Sequence, residues 1–167
     1  MRIAEFLVRE FDHEAASTRK VLDRVPEQHV EWAPHTKSKS LGELANHIAG
    51  LPVWAVRIMQ SPEYAFMAPG APTPGIRPWE SKSALMAKFD QHVAEARGLI
   101  EPASDQQIME KWSLKRGGEV VFTLPRMAAI RSMVLSHTIH HRGQLTVYLR
   151  LKDVPVPGVY GPTADEM

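Results

Sequence analysis

The chain has 167 residues, no cysteine, and 20 Lys+Arg against 19 Asp+Glu, a net charge of +1. That length suits a single domain over residues 1–167 with a core of its own, and near-neutral charge without a basic stripe argues against nucleic acid as a partner. Without cysteine there is no disulfide, thiolate metal site or cysteine nucleophile, so imidazole becomes the natural metal ligand and thiol chemistry needs a thiol brought in by a cofactor.

The N-terminal MRIAEFLVREF is amphipathic and carries acids, unlike a secretory signal, and no stretch approaches the roughly 20 apolar residues of a membrane span. A cytoplasmic protein without a membrane partner is expected. Ile3, Phe6, Leu7, Phe11, Val21, Leu22 and Val25 recur at three- and four-residue steps, which predicts a first helix from Arg2 to about Arg24, stopped before Pro26. Glu10 and Glu14 share a face of it; either is a candidate buried acid supporting a site, though two solvated carboxylates are the commoner outcome for such a pair.

Ser40 followed by Glu43 makes a capping box for a second helix with the stripe Leu44, His47, Leu51, Trp54 and Ile58. Pro52 lies inside it and cannot donate to the carbonyl of Ile48, so a kink is expected one turn beyond His47. Five prolines between Ser61 and Pro78 forbid helix and disfavour a central strand, leaving a long ordered loop or lid. Ser81 caps a third helix carrying Leu85, Phe89, Val93, Ala96 and Ile100, ending before Pro102. Lys111 to Leu124 reads as a short hairpin turning at Gly117-Gly118. The fourth helix starts near Thr123, tolerates Pro125 in its first turn, and continues through Ile130, Met133, Val134, His137, Val147, Tyr148 and Leu151. The tail VPVPGVYGPTADEM is not helical but has Val154, Val156, Val159 and Tyr160 to pack. Four amphipathic segments with one minor strand pair give an all-α four-helix bundle with a short β-hairpin between helices 3 and 4.

Within SHTIHHRGQLTVYLRL, His137 and His141 stand four residues apart, a spacing that stacks two imidazoles on one helix face and chelates metals. His47 on the second helix is the third candidate, and three neutral imidazoles would leave coordination positions free for chemistry. A lone core histidine is more often a satisfied polar residue, but several together leave many nitrogens to partner, which a divalent cation answers. His140, about 60° from His137 around the helix, is a candidate proton shuttle or supporting group, or simply an exposed residue. Gln144, one turn on, can orient a ligand ring. Gly143 inside a helix suggests close approach of another backbone. Arg142 projects away from the His137 face, towards a surface or subunit contact. His13, His29, His35 and His92 lack a partner at ligand spacing and read as surface or loop residues, while Trp32, Trp54, Trp79 and Trp112 read as core and loop anchors.

Taken together, WAPHTKSKSLGELANHIAGL, HTIHHRGQLTVYLRL and VPVPGVYGPTADEM resemble the DinB-like (YfiT-like) superfamily of damage-inducible bacterial proteins. The resemblance implies a four-helix bundle of up-down-down-up order, frequently dimeric, with a divalent ion on three histidines, which here are His47, His137 and His141. Proteins of this outline resemble bacillithiol- or mycothiol-dependent transferases and isomerases, or are described as metal-dependent hydrolases, and family membership does not choose among them. The expected function is a metal-dependent enzyme acting on a small-molecule substrate. Its ion, Zn²⁺, Ni²⁺ or a similar one, among which all-imidazole ligation does not select sharply, would activate a low-molecular-weight thiol or a water. The rivals are a non-catalytic metal- or ligand-binding module of a stress response and a purely structural histidine cluster.

Overall fold

The structure is a computed structural model that describes residues 2–66 and 78–167. It is mostly helical, with four main helical segments and a small three-stranded mixed sheet rather than helices and an isolated hairpin. The first segment is α1 (Ile3–Asp23), stopped by the Val25-Pro26 step as the periodicity predicts, with a short 3₁₀ turn at Glu27–His29 beyond it.

The second segment differs from the expected single kinked helix. Pro52 breaks it into α2 (Leu41–Gly50), capped by the Ser40/Glu43 box, and α3 (Val53–Gln60). The carbonyl of Ile48, deprived of its donor by Pro52, accepts from Leu51 N at 3.1 Å instead. The Ala49 carbonyl accepts from His92 Nδ1 at 3.0 Å.

Glu63–Phe66 forms strand β1 inside the proline-rich segment, where no strand was expected; the rest of that loop or lid, residues 67–77, lies outside the described residues. Because β1 sits at a sheet edge, the flanking prolines remove no ladder bond from a central strand. The third segment is α4 (Lys82–Ile100), with Ser81 Oγ accepting from Ala84 N as its cap. The sequence does not foretell α5 (Asp105–Met109), a single turn capped by Ser104.

Next come β2 (Lys111–Arg116) and β3 (Glu119–Pro125), antiparallel about Gly117 and Gly118, whose φ angles of 57° and 96° are the left-handed pair that such a tight turn requires. β2 is central, pairing in parallel with β1 and burying Trp112 and Leu114 on one face. Thr123 and Leu124 therefore belong to the sheet, and the last helical segment begins three residues later than expected. It runs through α6 (Arg126–Ile130), a π-helical stretch (Arg131–Ser136) and α7 (His137–Leu151). Strand pairing outcompetes helix there because Thr123 and Leu124 face Ser113 and Trp112 in register.

Two apolar clusters fill the molecule. One gathers Phe11, Ile58, Ile100, Trp112 and Ile130 at the sheet end; the other gathers Leu22, Leu41, Ile48, Phe89 and Leu145 under the tail. In the tail Val156 is buried and Val154 and Val159 pack against the second cluster. Asp165, gripped by Arg150 at 2.6 and 3.0 Å and by Val156 N at 2.8 Å, ties the tail to α7. Among the described residues no helix is long and apolar enough to cross a membrane.

Candidate metal centre

α2 presents His47 towards the start of α7, where His137 and His141 lie one turn apart. The Nε2 atoms of His47 and His137 are 3.3 Å apart and those of His137 and His141 2.9 Å, and the three ligand nitrogens lie within 4.8 Å of one another. Bonds of about 2.1 Å from three imidazoles to one ion require nitrogens spaced by roughly 3–3.5 Å, which the His47–His137 and His137–His141 pairs match.

The proton count decides how this cluster is satisfied. His141 Nδ1 donates to Gln144 Oε1 at 2.7 Å, because an amide oxygen can only accept, so in the neutral ring Nε2 is a bare lone pair. The His137 ring bonds to the main chain of Met133, and with its Nε2 committed to the cluster the donor is Nδ1. The peptide N–H of His137 donates to the Val134 carbonyl, at the end of the π-helical stretch. Two lone pairs thus face each other at 2.9 Å with no proton between them, and one hydrogen from His47 cannot serve both contacts. A cation resolves that crowding, so the donor set fits a divalent ion.

The rings are also held in the neutral form that ligation needs. Burial, then the neighbouring His141 and His137, then Lys39 and Lys88, push the pKa of His47 from 6.5 down to about 4. His137 is lowered by burial and His141, and His141 by burial, against the opposing effect of Gln144.

His140 is exposed, its ring centroid 4.8 Å from that of His141, and its charge acts on both His137 and His141. Gln144 is exposed but bonded to His141 as described. Gly143 has open space where a Cβ would stand, so the close backbone approach expected of it is not there.

A cavity of about 750 Å³ opens beside His47, walled by α2, α3 and α4. His92, expected at the surface, is half-buried in its wall: it continues the Leu85, Phe89 stripe of α4 and is anchored by Ala49 at the helix break. Trp54 lines the same cavity, whereas Trp112 is a core residue.

Two further residues depart from expectation. Arg142 does point away from His137, but into the protein rather than to a surface, and is 2% exposed. It pairs with Glu14 at 2.7 Å, donates to the Glu14 carbonyl and Thr18 Oγ1 at 3.1 Å, and donates to Tyr160 Oη at 2.6 Å. The Tyr160 hydroxyl in turn donates to Glu14 at 2.8 Å. Glu14 is thus buried, while Glu10 meets Arg131 near the surface. The signal was present in both stripes: Leu7, Phe11, Glu14, Thr18, Val21 on α1 and Thr138, Arg142, Leu145, Leu149 on α7 run at core spacing.

A helical bundle with three histidines from two helices, neutral and converging, defines a mostly helical protein with a cluster that could hold a metal ion. The chain belongs to the DinB superfamily, whose family profile matches residues 10–145. YrdA, an uncharacterized protein of Bacillus subtilis strain 168, is 24% identical over 167 residues, covering 97% of this chain and 90% of its own. The fold is similar to the crystal structure of a DinB-like protein from Bacillus cereus ATCC 10987, with a TM-score of 0.72, 20% identity, and 93% and 97% of the two chains covered. It is also similar to the DinB-like protein YjoA of Bacillus subtilis, with a TM-score of 0.67, 17% identity, and coverage of 92% and 96%.

Proposed function

We propose that this chain is a metal-dependent enzyme in which His47, His137 and His141 hold Zn²⁺, Ni²⁺ or a similar divalent ion beside a substrate cavity. The observation that carries this reading is the pair of facing Nε2 lone pairs, whose ring protons are committed elsewhere. When bound, such an ion supplies Lewis acidity that makes a small thiol or a water nucleophilic near neutral pH. The chain's own contribution is to keep three rings neutral and oriented, with Gln144 and the Met133 carbonyl fixing two tautomers. His140, exposed next to His141, is the group placed to exchange protons with solvent.

The cavity favours catalysis over a closed structural or sensory site, since His47, one of the three ligands, forms part of its wall and a reactant there would lie next to it. The absence of cysteine makes an external thiol the nucleophile of choice for transferase chemistry, with hydrolysis the alternative. The proposal extends to a cytoplasmic protein and to a homodimer of up-down-down-up bundles, as the family resemblance implies. Exposed Val147 and Leu151, one turn apart on α7, offer apolar surface for the second copy.

Elemental analysis of untagged protein, wild type against His137→Ala, tests the metal: stoichiometric ion in the first and none in the second is expected, and equal content refutes the reading. Conjugation of an electrophile only when a low-molecular-weight thiol is supplied supports the transferase; turnover without thiol supports the hydrolase. Light scattering of the purified protein reads the oligomer.

A further inference from the structure

The cavity beside His47 is unevenly charged. Lys39, Arg57 and Lys88 line it, against Glu43 and Glu80. Glu43 is committed to the helix cap, accepting from Ser40 N at 2.8 Å. The Arg57 guanidinium lies over the rings of Trp54 and Tyr64, at 4.7 and 4.4 Å from their centroids. Aromatic faces hold a guanidinium in place without using its N–H donors, which remain free to form a two-pronged contact with an acid. Among the described residues neither Arg57 nor Lys39 forms an ion pair with a carboxylate. Lys88 Nζ rests on the Asn46 carbonyl at 3.3 Å, with its head within 3.9 Å of where a Cβ on Gly50 would stand, so a small residue on α2 keeps it close to that wall.

The histidine cluster adds no negative charge to the cavity. Its ligands are three neutral rings with no carboxylate among them, so a divalent ion would keep its full charge beside the lysines. The neighbouring wall is apolar, formed by Leu51, Val53, Trp54 and Leu85.

We propose that this cavity binds a small organic anion, its carboxylate or phosphate held by Arg57, Lys88 and Lys39 and its apolar part lying against Trp54 and Leu51. This deepens the metal-dependent reading by naming the substrate class of that same site. It rests on that reading for the role of the anion as substrate, but not for its binding.

The test uses the full chain freed of divalent ions by chelation and titrated calorimetrically with benzoate, phenyl phosphate and, as the uncharged counterpart, benzamide. Both anions are expected to bind, to displace one another, and to weaken with added salt. Affinity falls about tenfold or more in Arg57→Gln and in Lys88→Met, falls less in Arg57→Lys, which keeps the charge but loses the two-pronged contact, and is unchanged in Lys20→Ala on α1. Lys39→Gln gives the same comparison should Arg57→Gln fail to fold. Benzamide binding as tightly as benzoate overturns the proposal, as does anion affinity indifferent to every cavity substitution. Binding that appears only when Zn²⁺ is restored also overturns it, because the anion is then a ligand of the ion alone. Titration of the same sample with Zn²⁺ separates the two ideas: benzoate without Zn²⁺ binding sinks the metal reading only, and Zn²⁺ without benzoate binding sinks this one only.

Discussion

His141 and Arg142 are consecutive residues, about 100° apart around α7, that sit in two kinds of polar site. On one side Arg142, Glu14, Thr18 and Tyr160 form a closed network in which the charge is paired and the Tyr160 hydroxyl bridges both partners. On the other side His137 and His141 satisfy their outward nitrogens and leave the inward ones facing each other beside that of His47. A network that closes on itself serves the fold, because nothing remains for a ligand to do. One that leaves lone pairs converging next to a cavity serves binding, and the difference shows in the proton count rather than in burial alone.

Four substitutions or conditions probe that contrast. Arg142→Ala strands Glu14 in the interior and is expected to destabilise the fold by about 3–5 kcal/mol, read from urea denaturation, whereas the double change Glu14→Leu with Arg142→Met regains most of it. If Arg142→Ala is nearly neutral, the network is not closed as described. Gln144→Leu removes the acceptor that sets the His141 tautomer; metal affinity should drop roughly 10–100-fold by calorimetry with the urea midpoint unmoved, since the side chain is exposed. An unchanged affinity would assign His141 its tautomer from another source. Tyr160→Phe deletes one bridge of the closed network and should cost about 1–2 kcal/mol of stability without altering metal binding.

The smallest effect is on acid stability. His47 carries a folded-state pKa of about 4 against 6.5 for an ordinary ring. In that window the unfolded chain binds more protons than the folded one, so stability is complete above pH 6.5 and declines as pH falls towards 4. For a half-buried ring, screened by solvent, the loss is on the order of 1–2 kcal/mol in the metal-free protein. His47→Gln should flatten this part of the pH profile of the urea midpoint, and an unchanged slope would place the titration on other groups.

Much of this molecule was legible from local pattern. Apolar spacing marked α1 and α4 almost to the residue, the Ser40/Glu43 box marked the start of α2, and Gly117-Gly118 marked the hairpin, because caps, tight turns and amphipathic stripes are settled within a few residues. The i, i+4 histidines and His47 on its stripe were visible for the same reason. The sequence alone could not say that Pro52 would divide a helix into two rather than bend it. Nor could it say that Glu63–Phe66 would join the hairpin as a third strand, since such pairing depends on segments some 50 residues apart.

Glu14 and Arg142 show the limit most clearly. Each lies on a core stripe, yet a charge there is stable only if its partner arrives from another element, and those partners are 128 residues apart. His92 joins the cavity wall because the helix break offers it a carbonyl. Sequence determined which surfaces had to be buried and which side chains could ligate. The tertiary structure decided which charges were neutralised and which lone pairs were left to converge, because both depend on distances that only packing sets.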